Sequence, residues 1–211
     1  MLSYDRSARA QLEDQVSICL STDLPLYYWA HRFAASGRLA DYRFLLSQAK
    51  RVILDSAEAP EDAFRYPWPN AAAIRDLAYC RVLPVRQGVG QFLAAYAPSV
   101  LTEGLSGAEV FHGAAWRAEG RVVATWLGER LAACGWTAAS TGVEVREKVE
   151  AGLDLGVQFR YEGRGKEFAW RGDLAAGQAH FRADFGQGRT ELTAGLALLA
   201  PEMALSEAMF F

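Results

Sequence analysis

The sequence predicts an α/β (α+β) fold: a mixed-sheet α/β domain followed by an antiparallel β meander. Three observations carry that expectation. Arg51–Leu54 is a short β-branched run between a helical pattern and an Asp-Ser turn, which reads as a buried strand. Ala118–Cys134 repeats Val122, Val123, Trp126, Leu127, Arg130 and Leu131 at spacings of three and four, an amphipathic helix. From Leu153 to Tyr161 apolar residues alternate strictly with polar or Gly positions, an amphipathic strand. The texture changes near Gly135–Gly142, which places an α/β domain at 1–138. An antiparallel β region with a short C-terminal helix follows at 139–211, packed on the first domain or extending its sheet.

In chain order, Gln15–Leu20 and Leu24–Ala30 are short apolar runs separated by Ser-Thr-Asp. They read as a strand, a turn, and a second strand or its approach to a helix. Leu39, Tyr42, Leu45, Leu46 and Ala49 fall at helical spacing. After the buried strand, Pro67 and Pro69 bracket Trp68 in a loop, and Asn70 is placed to cap a helix over Ala71–Tyr79. Pro84 suits the first turn of another helix, which runs to about Ala97 and stops before Pro98. Gly107–Gly113 is a strand candidate, and Gly135 ends the long helix that follows. In the second part, Glu162–Gly165 is a hairpin turn, and Phe168 and Trp170 continue the apolar face on the return strand. Phe181, Ala183 and Phe185 mark the next strand, and Gly186–Arg189 the next turn. Leu192–Leu199 suits strand or helix equally, and Pro201–Met209 reads as a helix.

Charge and motif content narrow the function classes. The 211 residues carry 22 Lys and Arg against 25 Asp and Glu, with no basic arm, which disfavours nucleic acid or an anionic membrane as partner. No apolar run reaches the length of a signal peptide or a membrane span, so a cytoplasmic protein is expected. Cys19, Cys80 and Cys134 are too widely spaced for a disulfide framework or a zinc site. His31, His112 and His180 are isolated, and Gly88-Val-Gly90 lies inside a predicted helix rather than in a phosphate loop. The sequence displays no activated nucleophile, tuned acid-base pair or metal cluster. The expectation is therefore no catalytic residue, no metal, no cofactor, and a binding or regulatory role.

Two clusters exceed what composition explains: Leu24-Pro-Leu-Tyr-Tyr-Trp29 with Arg51-Val-Ile-Leu-Asp-Ser56, and Asp76-Leu-Ala-Tyr-Cys-Arg81-Val-Leu-Pro84-Val-Arg86. In each, charges sit beside aromatic and aliphatic residues. As plain structure, Asp55 and Ser56 are caps, Trp29 is core, and Arg51–Asp55 and Asp76–Arg81 are internal ion pairs. Taken in order, with Asp23-Leu24-Pro25 opening the first, the clusters resemble the OpcA family, the glucose-6-phosphate dehydrogenase assembly proteins, mainly their C-terminal part. Trp126-Leu127-x-x-Arg130-Leu131, Gly135-Trp136 and the Gly-broken region after them fit as well, over roughly residues 12–200. Tyr79 and Val85 stand where the family usually has Trp. The resemblance implies a non-catalytic partner and allosteric activator of that dehydrogenase in the oxidative pentose-phosphate pathway of carbohydrate metabolism, which supplies NADPH. The residues expected to work toward the partner are Trp29, Arg51, Asp55, Ser56, Asp76, Arg81 and Arg86. A sugar-phosphate-binding α/β module and an enzyme with a dispersed site are the alternatives.

Overall fold

A computed structural model describes residues 9–20, 24–31, 33, 35–137, 142–163 and 165–211. Asp23 of the Asp-Leu-Pro motif, Arg164 of the expected hairpin turn and the expected 138/139 join lie outside the described residues. The fold is mixed α/β with an antiparallel strand region, as the sequence predicts. The chain divides into two compact units, Met1–Leu77 with Leu205–Phe211, and Ala78–Ala204.

The first unit is built on a parallel sheet of β1 (Leu26–Trp29), β2 (Ala49–Leu54) and β3 (Ile74–Asp76), in that order. Its central strand is buried on both faces, Val52, Ile53 and Leu54 being consecutive and inaccessible, as a sheet covered on both sides requires. Helix α1 (Arg9–Leu20) precedes the sheet, and a 3-10 stretch, Ser36–Tyr42, leads into α2 (Arg43–Gln48). Leu39, Leu46, Val52 and Leu54 share one buried cluster, and Leu12, Val16 and Leu45 another.

Two expectations fail here. Gln15–Leu20 is the end of α1 rather than a strand. Leu12 and Val16 repeat at four residues, and that face is buried with Leu45, so the longer period outweighs the short apolar run. Ala71–Tyr79 is not one helix, and Asn70 makes no side-chain cap. A 3-10 turn at Ala71–Ala73 gives way to β3, which pairs Val52 with Ile74 and Leu54 with Asp76. The ladder open along β2 captures Ile74–Asp76, overriding the helical preference of the alanines.

Helix α3 (Leu77–Arg81) takes the chain from the first unit into the second, and α7 (Pro201–Phe210) takes it back. The second unit holds α4 (Leu83–Leu93), α5 (Pro98–Thr102), β4 (Leu105–His112), α6 (Arg117–Ala133), β5 (Val143–Glu147), β6 (Leu155–Tyr161), β7 (Lys166–Asp173), β8 (Gln178–Phe185) and β9 (Arg189–Gly195). Six strands form one sheet in the order β5-β4-β6-β7-β8-β9, antiparallel except at β4–β5. The antiparallel meander therefore grows from β4, and residues on both sides of 138/139 lie in one unit. Leu192 falls in β9, and Leu196–Ala200 is irregular.

One face of this sheet carries the core. Val85, Val89, Val123 and Leu127 from α4 and α6 pack with Val110, Val157, Phe168 and Trp170. Phe92 stacks on Phe181, ring centroids 4.7 Å apart, which fixes α4 against the middle of the meander. Helix α6 ends in a Schellman turn: Gly135 has φ 92°, its N–H donates to the Ala132 carbonyl, and the Trp136 N–H reaches Leu131. The Trp136 indole then donates to the Leu105 carbonyl at 2.9 Å, tying the helix end to β4.

Candidate functional site

The seven residues expected to face a partner divide between the units, five in the first and Arg81 and Arg86 in the second. In the first unit the topology brings them to one place, because β1, β2 and β3 are parallel and in register. Trp29 pairs with Ile53, and Leu54 with Asp76, so Trp29, Asp55, Ser56 and Asp76 gather at the carboxyl ends of the three strands. That edge is where open α/β sheets form binding sites, because the connecting loops diverge there.

The geometry at this edge is specific. The Ser56 N–H donates to Asp76 Oδ1 at 2.9 Å, joining the end of β2 to the end of β3. Asp55 Oδ1 accepts from the Ala57 N–H at 3.0 Å, and its carbonyl accepts from Glu58 and Ala59, an Asx-type turn that redirects the chain. Asp55 and Asp76 thus shape the edge through backbone contacts. Trp29 is not core: half of it is exposed, and its ring lies against His31, centroids 5.1 Å apart. His31 Nδ1 is 3.8 Å from the Glu58 carboxylate. The sequence did not mark His31 or Glu58 as part of this group, because only the parallel pairing brings the two loops together. Arg51 lies further back on β2, where Nη1 donates to the Lys50 carbonyl at 3.1 Å.

In the second unit Arg81 and Arg86 do different work. Arg81 Nε and Nη2 both donate to Glu119 Oε1, at 3.1 and 2.8 Å, and Glu119 is buried in the first turn of α6. Arg81 is thereby an internal anchor between the α3 end and α6. Arg86 sits on α4 with its guanidinium carbon 3.6 Å from the centre of the Tyr79 ring, and Nη2 donates to the Tyr79 carbonyl at 3.2 Å. Tyr79 is 40% exposed, so this stack stands at the surface.

Among the described residues, the buried side-chain polar atoms without a hydrogen-bond partner are Arg51 Nε, Ser56 Oγ and Arg86 Nε. All three belong to the set that the motifs single out. Native proteins leave few such atoms unsatisfied, and these three are inaccessible in the folded chain, so they are not themselves contact atoms for a partner.

The other two histidines lie in the second unit. His112 is buried in β4, its Nδ1 2.9 Å from the Gly113 carbonyl, and His180 lies on β8. Among the described residues no group of three or more His, Cys, Asp or Glu is placed to hold a metal ion, and no helix is long and apolar enough to cross a membrane. No family model, curated protein or solved structure matches the chain.

Proposed function

We propose that this chain is a partner-binding protein without catalytic chemistry of its own, a cytoplasmic assembly factor and allosteric activator of glucose-6-phosphate dehydrogenase. One observation supports the reading above the others. The three motifs that carry the OpcA resemblance become β1, β2 and the β3–α3–α4 segment, and in the first unit they bring the half-exposed Trp29 to one sheet edge with Asp55, Ser56 and Asp76. A sheet edge where loops diverge, carrying an exposed aromatic ring, suits contacts made to another molecule. The resemblance supplies the identity of that molecule. Activation requires the chain to bind the active dehydrogenase conformation more tightly than the inactive one, by about 1.4 kcal/mol for each tenfold rise in the active population.

The test combines partner capture with one substitution. The full chain, purified from its native host, should bring the dehydrogenase with it and raise its activity while turning over no glucose 6-phosphate alone. Arg86→Ala loses an exposed stack worth about 1 kcal/mol or less, so its melting temperature should stay close to wild type. Its activation of the dehydrogenase should weaken by about 2 kcal/mol, the loss expected of an interface arginine. Unchanged activation by a folded Arg86→Ala chain removes Arg86 from the interface. No capture and no activation removes the dehydrogenase as partner.

A further inference from the structure

The outer face of the second unit's sheet holds a hollow that the assembly reading does not use. On β6 to β8 the residues alternating with Val157, Phe168, Trp170 and Phe181 point away from the core, and two of them, Gly156 and Ala169, rise little above the backbone. Their cross-strand neighbours are long. Gly156 pairs with Arg171, Ala169 with Gln158 on one side and Arg182 on the other, and Arg171 with His180. The result is a cavity of about 390 Å³. Leu153 and Phe111 wall one end: a Cβ on Gly156 would lie 3.1 Å from Leu153 Cδ1 and 3.6 Å from Phe111 Cδ2. Any side chain there would fill the floor.

The lining is cationic. Lys148, Arg171 and Arg182 face the cavity with His180, against one lining carboxylate, Glu191. The acids that pair with these cations lie outside the lining. Glu150 holds Arg171 and Lys148, and Glu167 lies 3.3 Å from Arg182 Nε. Each of these pairs is between a third and a half exposed, so a ligand of higher charge can reach the same cations and compete for them. His180 shares a hydrogen bond between Nδ1 and Thr193 Oγ1 at 3.0 Å, which orients the ring and leaves Nε2 for a ligand.

We propose that this hollow binds a small phosphomonoester, with the phosphate between Arg171 and Arg182 and a hydroxylated body over Gly156 and Ala169. Two guanidinium forks and an ammonium suit a dianion with three terminal oxygens, whereas a monocarboxylate fills only one fork. Gln158, Thr193 and Glu191 offer hydrogen-bond partners to hydroxyl groups. Glu191 also opposes a second anionic group, which favours one phosphate over a diphosphate or a nucleic acid backbone. The site shares no residue with the seven assigned to the protein partner, and its failure leaves that assignment untouched.

The test uses the full chain alone, titrated at constant ionic strength with glycerol 3-phosphate and, separately, with inorganic phosphate. Backbone amide resonances of Gly156, Ala169 and Arg182 should shift saturably, with glycerol 3-phosphate binding more tightly than phosphate. Arg171→Ala with Arg182→Ala should weaken binding by about tenfold or more, the loss of two charge-assisted contacts. Ala169→Leu fills the floor while keeping every charge, and should weaken binding equally; Arg182→Gln repeats the charge test with minimal change of shape. Circular dichroism of each variant confirms folding. Wild-type affinity in a folded Ala169→Leu chain, or no saturable shift at these amides with either probe, overturns the proposal.

Discussion

At the scale of single residues, charge burial decides which substitutions matter. Glu119 is almost wholly inaccessible and receives two bonds from Arg81, the cation that offsets its burial. Arg81→Ala leaves the carboxylate buried without its cation. The expected loss is about 3 kcal/mol of stability, read as a lowered urea midpoint. Arg81→Ala with Glu119→Gln should recover part of it, since the stranded charge is gone. Glu150 makes the opposite case at the surface. Bonds from Arg171 first, and then Lys148, hold its carboxyl down to about 2, against an ordinary 4.5. A carboxylate favoured in the folded chain stabilises it above the ordinary value, and that stabilisation disappears as pH falls from about 4.5 toward 2. The Glu150 carboxyl carbon should therefore titrate well below 4.5 by NMR. Arg171→Ala should move the midpoint up but not fully, because Lys148 remains 2.8 Å away.

At the scale of elements, close approach rather than propensity sets what a position tolerates. Gly120 lies in the first half of α6, where Ala would ordinarily add about 1 kcal/mol to helix stability. Here a Cβ would stand 2.9 Å from both Cβ and Cδ2 of the buried His112, so α6 must move off β4 or the imidazole must turn. Gly120→Ala should be destabilising by about 1–2 kcal/mol net, measured by thermal unfolding. Such contacts were not legible in the sequence, since His112 and Gly120 carry no shared pattern. What was legible had a long or strict period: α6, the β6–β8 alternation and the buried β2 all stand close to where spacing put them. The failures were short elements whose state is chosen by a neighbour. Ile74–Asp76 becomes a strand because β2 offers a ladder, and Gln15–Leu20 joins a helix because Leu12, outside the run, begins its buried face. The gathering of Trp29, Asp55, Ser56 and Asp76 was only half legible. Their presence in motifs was visible, but the parallel register that puts them on one edge was not. The hollow at Gly156 and Ala169 had a signal in the alternation, small residues at positions where the strands otherwise carry long ones.

At the scale of the whole molecule, the two units carry separate buried clusters, and this determines where the chain can be cut. The core around Val85, Leu127, Val157, Phe168 and Trp170 draws its buried members only from residues 82–196, all inside the second unit. Every strand of the six-stranded sheet lies there too, from β4 to β9. The length of that unit falls in the common range for autonomous domains, about 100–150 residues. A fragment spanning 78–204 should therefore fold by itself, giving a dispersed amide spectrum and one cooperative denaturant transition. A cut at 138/139, where the sequence changes texture, has a different consequence. It separates β4 from β5 and β6, its partners on either side, and strips α4 and α6 from Phe168, Trp170 and Phe181. The apolar face of β6–β8 would then be open to water, a patch that promotes association. A 139–211 fragment should aggregate or show no cooperative transition, by light scattering and circular dichroism. A soluble, cooperative 139–211 fragment beside an unfolded 78–204 fragment would place the boundary at the change of texture instead.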